Sequence, residues 1–422
     1  MCKEGPAPTR KRPAVEVGDI FRAHGEVYRQ KSVLTPEQLA VMRAIETCRT
    51  EVLGGHLDVC NQCGYSRPAY NSCRDRHCPK CQSLTQAKWI EQRVERLLAT
   101  HYFHVVFTLP ASLRRVCRRN QREMYKLLFA AATKTLLTIA ADPEHLGAQP
   151  GITAVLHTWT RELDFHPHLH CIVTGGGLSP DGTTWVAARR SYLFPVKVLS
   201  ALFRGLFLDA LRRAHQRGEI QYEDDELRAI LDRLYQHPWV VYAKRPFGGP
   251  EQVFRYLGRY THRVGISNQR IRSMDEHGVC FATKGGGTIT LTPQEFIRRF
   301  LLHVLPPGFT KIRHYGLWAS GKAAERLDLA RQVLAADPVE PPPVISDPEA
   351  LADPEPHSDH EPLDDPEPIA NAEPLLHPDH WQLRLLRLTG IDVTACPRCR
   401  QGRMIAQPLP AAVPRLQGPD TS

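Results

Sequence analysis

Two Cys-x2-Cys pairs, Cys60/Cys63 and Cys78/Cys81, stand only 14 residues apart, and they constrain this chain more than any other feature. Each pair forms a tight turn whose two thiolates converge, and two such turns supply the four soft ligands of a tetrahedral zinc site. A closed thiolate site leaves no coordination position for chemistry, so such a module holds structure or contacts a partner. Cys48, His56, Cys73 and His77 lie around the same knuckles and form the candidate set for a second zinc. Arg74, Arg76 and Lys80 decorate the loop and mark it as a candidate DNA-contacting surface. A further pair, Cys396/Cys399, supplies half a site, with His377 or His380 as the nearest completing ligands. Thiols at two-residue gaps in a chain with no apolar leader read as metal ligands of a reducing compartment rather than as disulfides. A cytoplasmic location follows, nucleoid-associated when DNA is bound.

The formal net charge is +9, yet thirteen Asp and Glu and no Lys or Arg fall between Asp337 and Asp379. The rest of the chain therefore carries about +22. A body that basic points to a polyanion, nucleic acid being the commonest. The acidic, Pro-rich stretch cannot bury enough apolar surface to fold and reads as a disordered linker. No uninterrupted apolar run reaches membrane-spanning length, so no membrane partner is expected.

The sequence divides into a basic tail (1–20), a zinc-binding segment (21–101), a catalytic segment (102–320), the acidic linker (337–380) and a short C-terminal piece (381–422). Pro36 after Thr35 opens a helix to Thr47, and apolar spacing places another over Leu84–Leu98. The aromatic and β-branched run Tyr102–Leu109 stops at Pro110 and reads as a strand. Further strands are expected over Thr153–Trp159, His168–Thr174 and Trp239–Ala243, with two short ones flanking Gly285–Gly287. Helices are expected over Gln121–Ala141, Leu199–Gln216 and Gln252–Arg263, and a small one over Trp381–Leu388. The mixture makes an α/β or α+β domain, and α+β is the class expected for the chain.

Two patterns inside the catalytic segment carry chemistry. In His166-Pro-His-Leu-His170, strand alternation puts His168 and His170 on one face, which is most of a metal site. Downstream, Tyr256 and Tyr260 lie one helical turn apart and present two phenols to one site. Arg255, Arg259 and Arg263 share that stretch, which is natural beside phosphates. A phenol ionises near about pH 10 and is a weak nucleophile until assisted. A divalent ion on His168 and His170, Mg²⁺ or Mn²⁺, would polarise a scissile phosphate and stabilise the departing 3′-oxygen. The tyrosine would then hold the 5′-phosphate, and a second tyrosine permits a second cleavage before the first strand is released. Trp159 and Tyr192 are candidate stacking surfaces for single-stranded bases.

Together these motifs resemble a known family. Cys48-Arg-Thr-Glu-Val-Leu-Gly-Gly-His56 and Tyr70-Asn-Ser-Cys-Arg-Asp-Arg-His-Cys-Pro-Lys-Cys-Gln82 resemble the zinc-binding head of rolling-circle insertion-sequence transposases of the insertion-sequence-91 type. Phe103-His-Val-Val-Phe-Thr-Leu-Pro110, Phe165-His-Pro-His-Leu-His170 and Tyr256-Leu-Gly-Arg-Tyr-Thr-His-Arg263 are similar to its catalytic blocks. The resemblance implies an HUH-type nuclease fold with a central antiparallel sheet. It also implies cleavage and rejoining of single-stranded DNA at element ends, with target DNA and host replication proteins as partners. By that carry-over His168 and His170 hold the metal and Tyr256 and Tyr260 are the nucleophiles, while the third ligand stays open among His166, His262 and Asp164. Two rival readings are a plasmid replication initiator or relaxase of the same chemistry, and a non-catalytic zinc-finger regulator. The second would leave the His-x-His strand and both tyrosines without a role.

Overall fold

In the computed structural model the described residues are 13–81, 83–94, 96–189, 193–244, 265–283, 286–319, 321, 323–337, 382, 385–387 and 392–409. The expected Gln252–Arg263 helix, with Tyr256, Tyr260, Arg255, Arg259, Arg263 and His262, lies outside them, as do Tyr192, His377, His380 and the acidic linker. The chain forms two compact units, one drawn from Met1–Thr85, Ile266–Ile297 and Pro362–Ser422, the other from Gln86–Gly265 and Arg298–Glu361. Mixed helices and antiparallel sheets make the architecture α+β.

The first unit opens with α1 (Val17–Lys31) and α2 (Pro36–Thr47). Thr35 and Gln38 exchange side-chain and backbone hydrogen bonds in a capping box, and Pro36 sits at the first helical position, which fixes the start of α2. Val17, Ile20, Phe21, Val41, Met42 and Ile45 are buried between the two helices. Two strands follow as a hairpin, β1 (Gly55–Cys60) and β2 (Ser66–Tyr70). A strand from the far end of the chain, Met404–Leu409, pairs antiparallel with the other edge of β1. A second three-stranded sheet carries strands Ile271–Asp275, Gly278–Ala282 and Thr288–Leu291. The last two flank the glycine turn, as their sequence suggests.

In the second unit a five-stranded antiparallel sheet is built from β3 (Tyr102–Thr108), β4 (Gly151–Trp159) and β5 (Phe165–Thr174) at its centre. Val241–Lys244 flanks β3 and Ile312–Gly316 flanks β4. The aromatic and β-branched runs that predicted β3, β4 and β5 are these central strands. Alternation gives each strand two faces. Phe103, Val105 and Phe107 of β3, Ile152, Ala154 and Leu156 of β4, and Leu169, Cys171 and Val173 of β5 share one buried core. Helices Arg114–Arg119, Gln121–Ala141, Val196–Gln216 and Asp224–Gln236 cover that face. Each fully buried large side chain there contributes about 1.5–3 kcal/mol by leaving water. Gln121–Ala141 is the one described helix long and apolar enough to span a membrane, and eleven of its residues are buried in this protein core.

The opposite face is divided lengthwise. At one end Tyr102, Val155 and Ile172 pack with Leu317, Trp318 and the apolar side of the helix Ala323–Ala336. The other end carries His157, His168 and His170, with Val106 and Thr108 paired beside the last two.

Candidate functional site

Strand register brings the histidines together. His157 of β4 pairs directly with His168 of β5, and Val155 with His170. On the other flank of β5, Val106 of β3 pairs with His170 and Thr108 with His168. Pro167 has no N–H for the ladder, and it falls where the β4–β5 register shifts between His157 and Trp159. A bulge re-aims the side chains beside it, here His157 and His168. The ligand nitrogens of His157, His168 and His170 all lie within 4.8 Å of one another.

One hydrogen bond fixes the tautomer of His168. His168 Nδ1 is 2.7 Å from the carbonyl oxygen of His166 and donates to it, leaving its Nε2 a lone pair. His170 Nδ1 is 2.8 Å from His104 Nε2, and a His170 that offers Nε2 to an ion would carry its proton on Nδ1 and donate it there. The two Nε2 atoms are 3.1 Å apart. Two nitrogens bonded to one ion at about 2.1 Å and at a right angle would stand about 3.0 Å apart. All four rings, His104 included, are buried. Burial, with His170 and His168 as further causes, holds His157 well below the ordinary imidazole range, so it is neutral, as a ligand must be. Trp159 stacks on His157 at 4.8 Å.

Of the third-ligand candidates, His166 stands at the edge of the cluster with Arg114 Nη2 3.5 Å away. Burial and then Arg114 hold it at about 4. Asp164 is bound to Arg299 at 3.0 Å. Among the described residues it is His157 whose ring nitrogen lies with those of His168 and His170, and the single-strand pattern missed it. His104, which orients His170, was equally absent from the sequence reading although it sits in the quoted block Phe103–Pro110.

The thiols sort into two tetrads, and the grouping differs from the one their spacing predicts. Cys48, Cys73, Cys78 and Cys81 form one, with Cys81 Sγ 3.3 Å from Cys48 and 3.5 Å from Cys73. Cys60 and Cys63 join Cys396 and Cys399 in the other. The physical reason is the β1–β2 hairpin. Gly55 pairs with Tyr70 at its open end, where Cys48 and Cys73 lie in the flanking sequence, whereas Cys60 is at its tip. At about 3.3 Å per residue the two ends are roughly 16 Å apart, too far for a shared ion. His56 and His77 are not ligands of either tetrad: His56 Nε2 is 3.2 Å from Asp58, and His77 Nδ1 is 3.0 Å from Asp75. Of the candidate DNA-contacting residues in this head, Arg74 is exposed, Arg76 is half-buried, and Lys80 forms an ion pair with Glu16.

A cysteine-rich head and a sheet bearing a histidine cluster are each equipped to hold metal, and the comparisons make the class specific. The family model "Putative transposase" matches residues 151–326, and "Transposase zinc-binding domain" matches residues 20–109. "Putative transposase y4qJ" of Sinorhizobium fredii (strain NBRC 101917 / NGR234) is 46% identical over 410 residues, which cover 93% of this chain and 95% of that protein. "Transposase for insertion sequence element IS801" of Pseudomonas savastanoi pv. phaseolicola is 28% identical over 302 residues, 68% of this chain and 72% of that one. No solved structure matches the chain. The protein is a transposase, an enzyme acting on DNA, with structural zinc in its head. It belongs to the IS91-type transposases.

Proposed function

We propose that the five-stranded sheet is an HUH-type nuclease core that cleaves and rejoins single-stranded DNA at insertion-sequence ends, in rolling-circle transposition through 5′-phosphotyrosine intermediates. The observation that carries the reading is the convergence of His157, His168 and His170 on one sheet face, with the Nε2 atoms of His168 and His170 3.1 Å apart. Three imidazoles fit a divalent transition ion, and among the expected ions they suit Mn²⁺ better than Mg²⁺, which prefers oxygen ligands. Such an ion supplies Lewis-acid polarisation of the scissile phosphate. The protein's own share is positioning: the His166 carbonyl fixes the His168 ring and His104 fixes His170. Tyr256 and Tyr260 are assigned as nucleophiles, and Arg255, Arg259 and Arg263 as phosphate contacts, on their sequence pattern. The zinc head, with Arg74 on its surface, is assigned to DNA contact.

The test incubates the purified protein with single-stranded oligonucleotides carrying the element's terminus, with Mn²⁺ or with chelator. A metal-dependent covalent protein–DNA adduct is expected. Tight binding to a verified end without any adduct would move the assignment to a regulator.

Two further outcomes follow from the ligand geometry. His104→Ala removes the ring nitrogen that orients His170, and outer-shell losses of this kind weaken metal affinity by about 10–100-fold. Mn²⁺ titration should show that loss with little change in melting temperature, and His104→Gln, whose amide can replace the hydrogen bond, should recover part of it. Equal melting losses in both variants with unchanged metal affinity would assign His104 to packing alone. Stripping zinc from the head should lower its melting temperature and weaken DNA binding, because a structural zinc site contributes folding energy outright. Unchanged melting and binding after verified zinc removal would exclude that role.

A further inference from the structure

The C-terminal knuckle lies outside both matched family regions, yet it is built into the head. We infer that Cys60, Cys63, Cys396 and Cys399 form a second, separate structural zinc site, closed by the C-terminal segment and independent of Cys48, Cys73, Cys78 and Cys81.

The donor geometry fits the ion. Cys60 Sγ is 3.7 Å from Cys399 Sγ, and Cys63 Sγ is 3.7 Å from Cys396 Sγ. Four thiolates at about 2.3 Å from a central zinc would stand about 3.8 Å apart at tetrahedral angles. A disulfide would need sulfurs at about 2.05 Å, so these are thiols gathered around a point rather than bonded pairs.

The backbone repeats the same device twice. In the first knuckle Gly64 N donates to Cys60 O at 3.2 Å, and Gly64 adopts φ 66°. In the second, Arg400 N donates to Cys396 O at 3.0 Å, and Arg400 adopts φ 58°. Cys60 N donates to Tyr65 O and Cys396 N to Gly402 O, which closes each turn behind its first ligand. Amide groups also point at the sulfurs, from Cys63 to Cys60 at 3.5 Å and from Gly402 to Cys399 at 3.3 Å, as donors to developing thiolate charge. A Cβ at Gly402 would overlap Cys60 Sγ, so glycine is required for the two knuckles to approach.

The approach is secured on both sides of the sulfurs. Strand β1 and the strand Met404–Leu409 pair in unbroken register from Gly55↔Leu409 to Cys60↔Met404. Asn61 N donates to Arg403 O at 3.1 Å, and Arg403 N returns a bond to Asn61 Oδ1 at 2.8 Å. Ligands more than 330 residues apart in the chain thus meet at a site whose closure joins the C-terminus to the head. A metal clip closing so long a loop stabilises chiefly by restricting the unfolded chain.

The test uses the full-length protein loaded with Co²⁺, whose thiolate charge-transfer absorption reports cysteine ligation and is blind to the histidine cluster. Cys396→Ser with Cys399→Ser should halve that absorption. In the zinc-loaded variant, iodoacetamide should label Cys60 and Cys63 while Cys48, Cys73, Cys78 and Cys81 stay protected. Continued protection of Cys60 and Cys63, or undiminished absorption, would overturn the proposal. Cys399→His keeps four ligands and guards against a folding defect. It should retain both ions and shift the cobalt d–d bands, and an unshifted spectrum would equally overturn the assignment.

Discussion

Replacing His157 with alanine should abolish most metal-dependent DNA cleavage while leaving zinc content and DNA binding near wild type. Outer-shell partners of metal ligands already account for about 10–100-fold in affinity or activity, and a direct ligand is worth at least that much. A loss of two or more orders of magnitude in the rate of adduct formation is therefore expected. His157 is buried and neutral, and its partner across the ladder is His168 rather than any element of the zinc head. The defect should consequently appear in the Mn²⁺ dependence of cleavage, with a raised metal requirement. His166→Ala and Asp164→Asn give the contrast. Neither side chain belongs to the three-histidine cluster, and Asp164 is engaged with Arg299. Both should retain a wild-type metal requirement. If His157→Ala cleaves normally and His166→Ala does not, the third ligand has been misassigned.

The residues that were legible in the sequence and those that were not differ by one physical property, whether their placement depends on contacts far along the chain. Strand β5 was legible because alternation is local: His168 and His170 share a face whatever their neighbours do. The helix Gln121–Ala141 was legible for the same reason, its apolar periodicity being confined to itself. His157 was not, because its place opposite His168 exists only in the β4–β5 register, and a shift of one residue would turn it to the other face. The cysteines show the limit most clearly. Pairing the two nearest Cys-x2-Cys turns ignores the length of the hairpin that carries one of them away. Cys396 and Cys399 could be matched to Cys60 and Cys63 only by knowing that Met404–Leu409 adds to the edge of β1. Lys80 reads as a DNA-contacting residue from its neighbours in sequence, and its ion pair with Glu16 emerges only when α1 and the cysteine loop are folded together.

Changing both Tyr256 and Tyr260 to phenylalanine should reduce covalent DNA attachment below detection and leave binding to a terminus oligonucleotide within about twofold. The substitution removes only the phenolic oxygens, so the aromatic rings and the neighbouring arginines are retained. On the proposed chemistry each oxygen is the atom that becomes bonded to the 5′-phosphate, and that ester stores the bond for rejoining. The single variants separate the roles. With one phenol left, a first cleavage and its adduct should persist from whichever tyrosine acts first. Transfer to a second strand should fail, because that step needs a nucleophile while the first remains esterified. Peptide mass spectrometry of the adduct then reads the order directly. A double variant that still forms a covalent adduct would remove both tyrosines from the chemistry. A double variant that loses binding as well as cleavage would mean that the segment holds DNA, and the nucleophile would then have to be sought elsewhere in the chain.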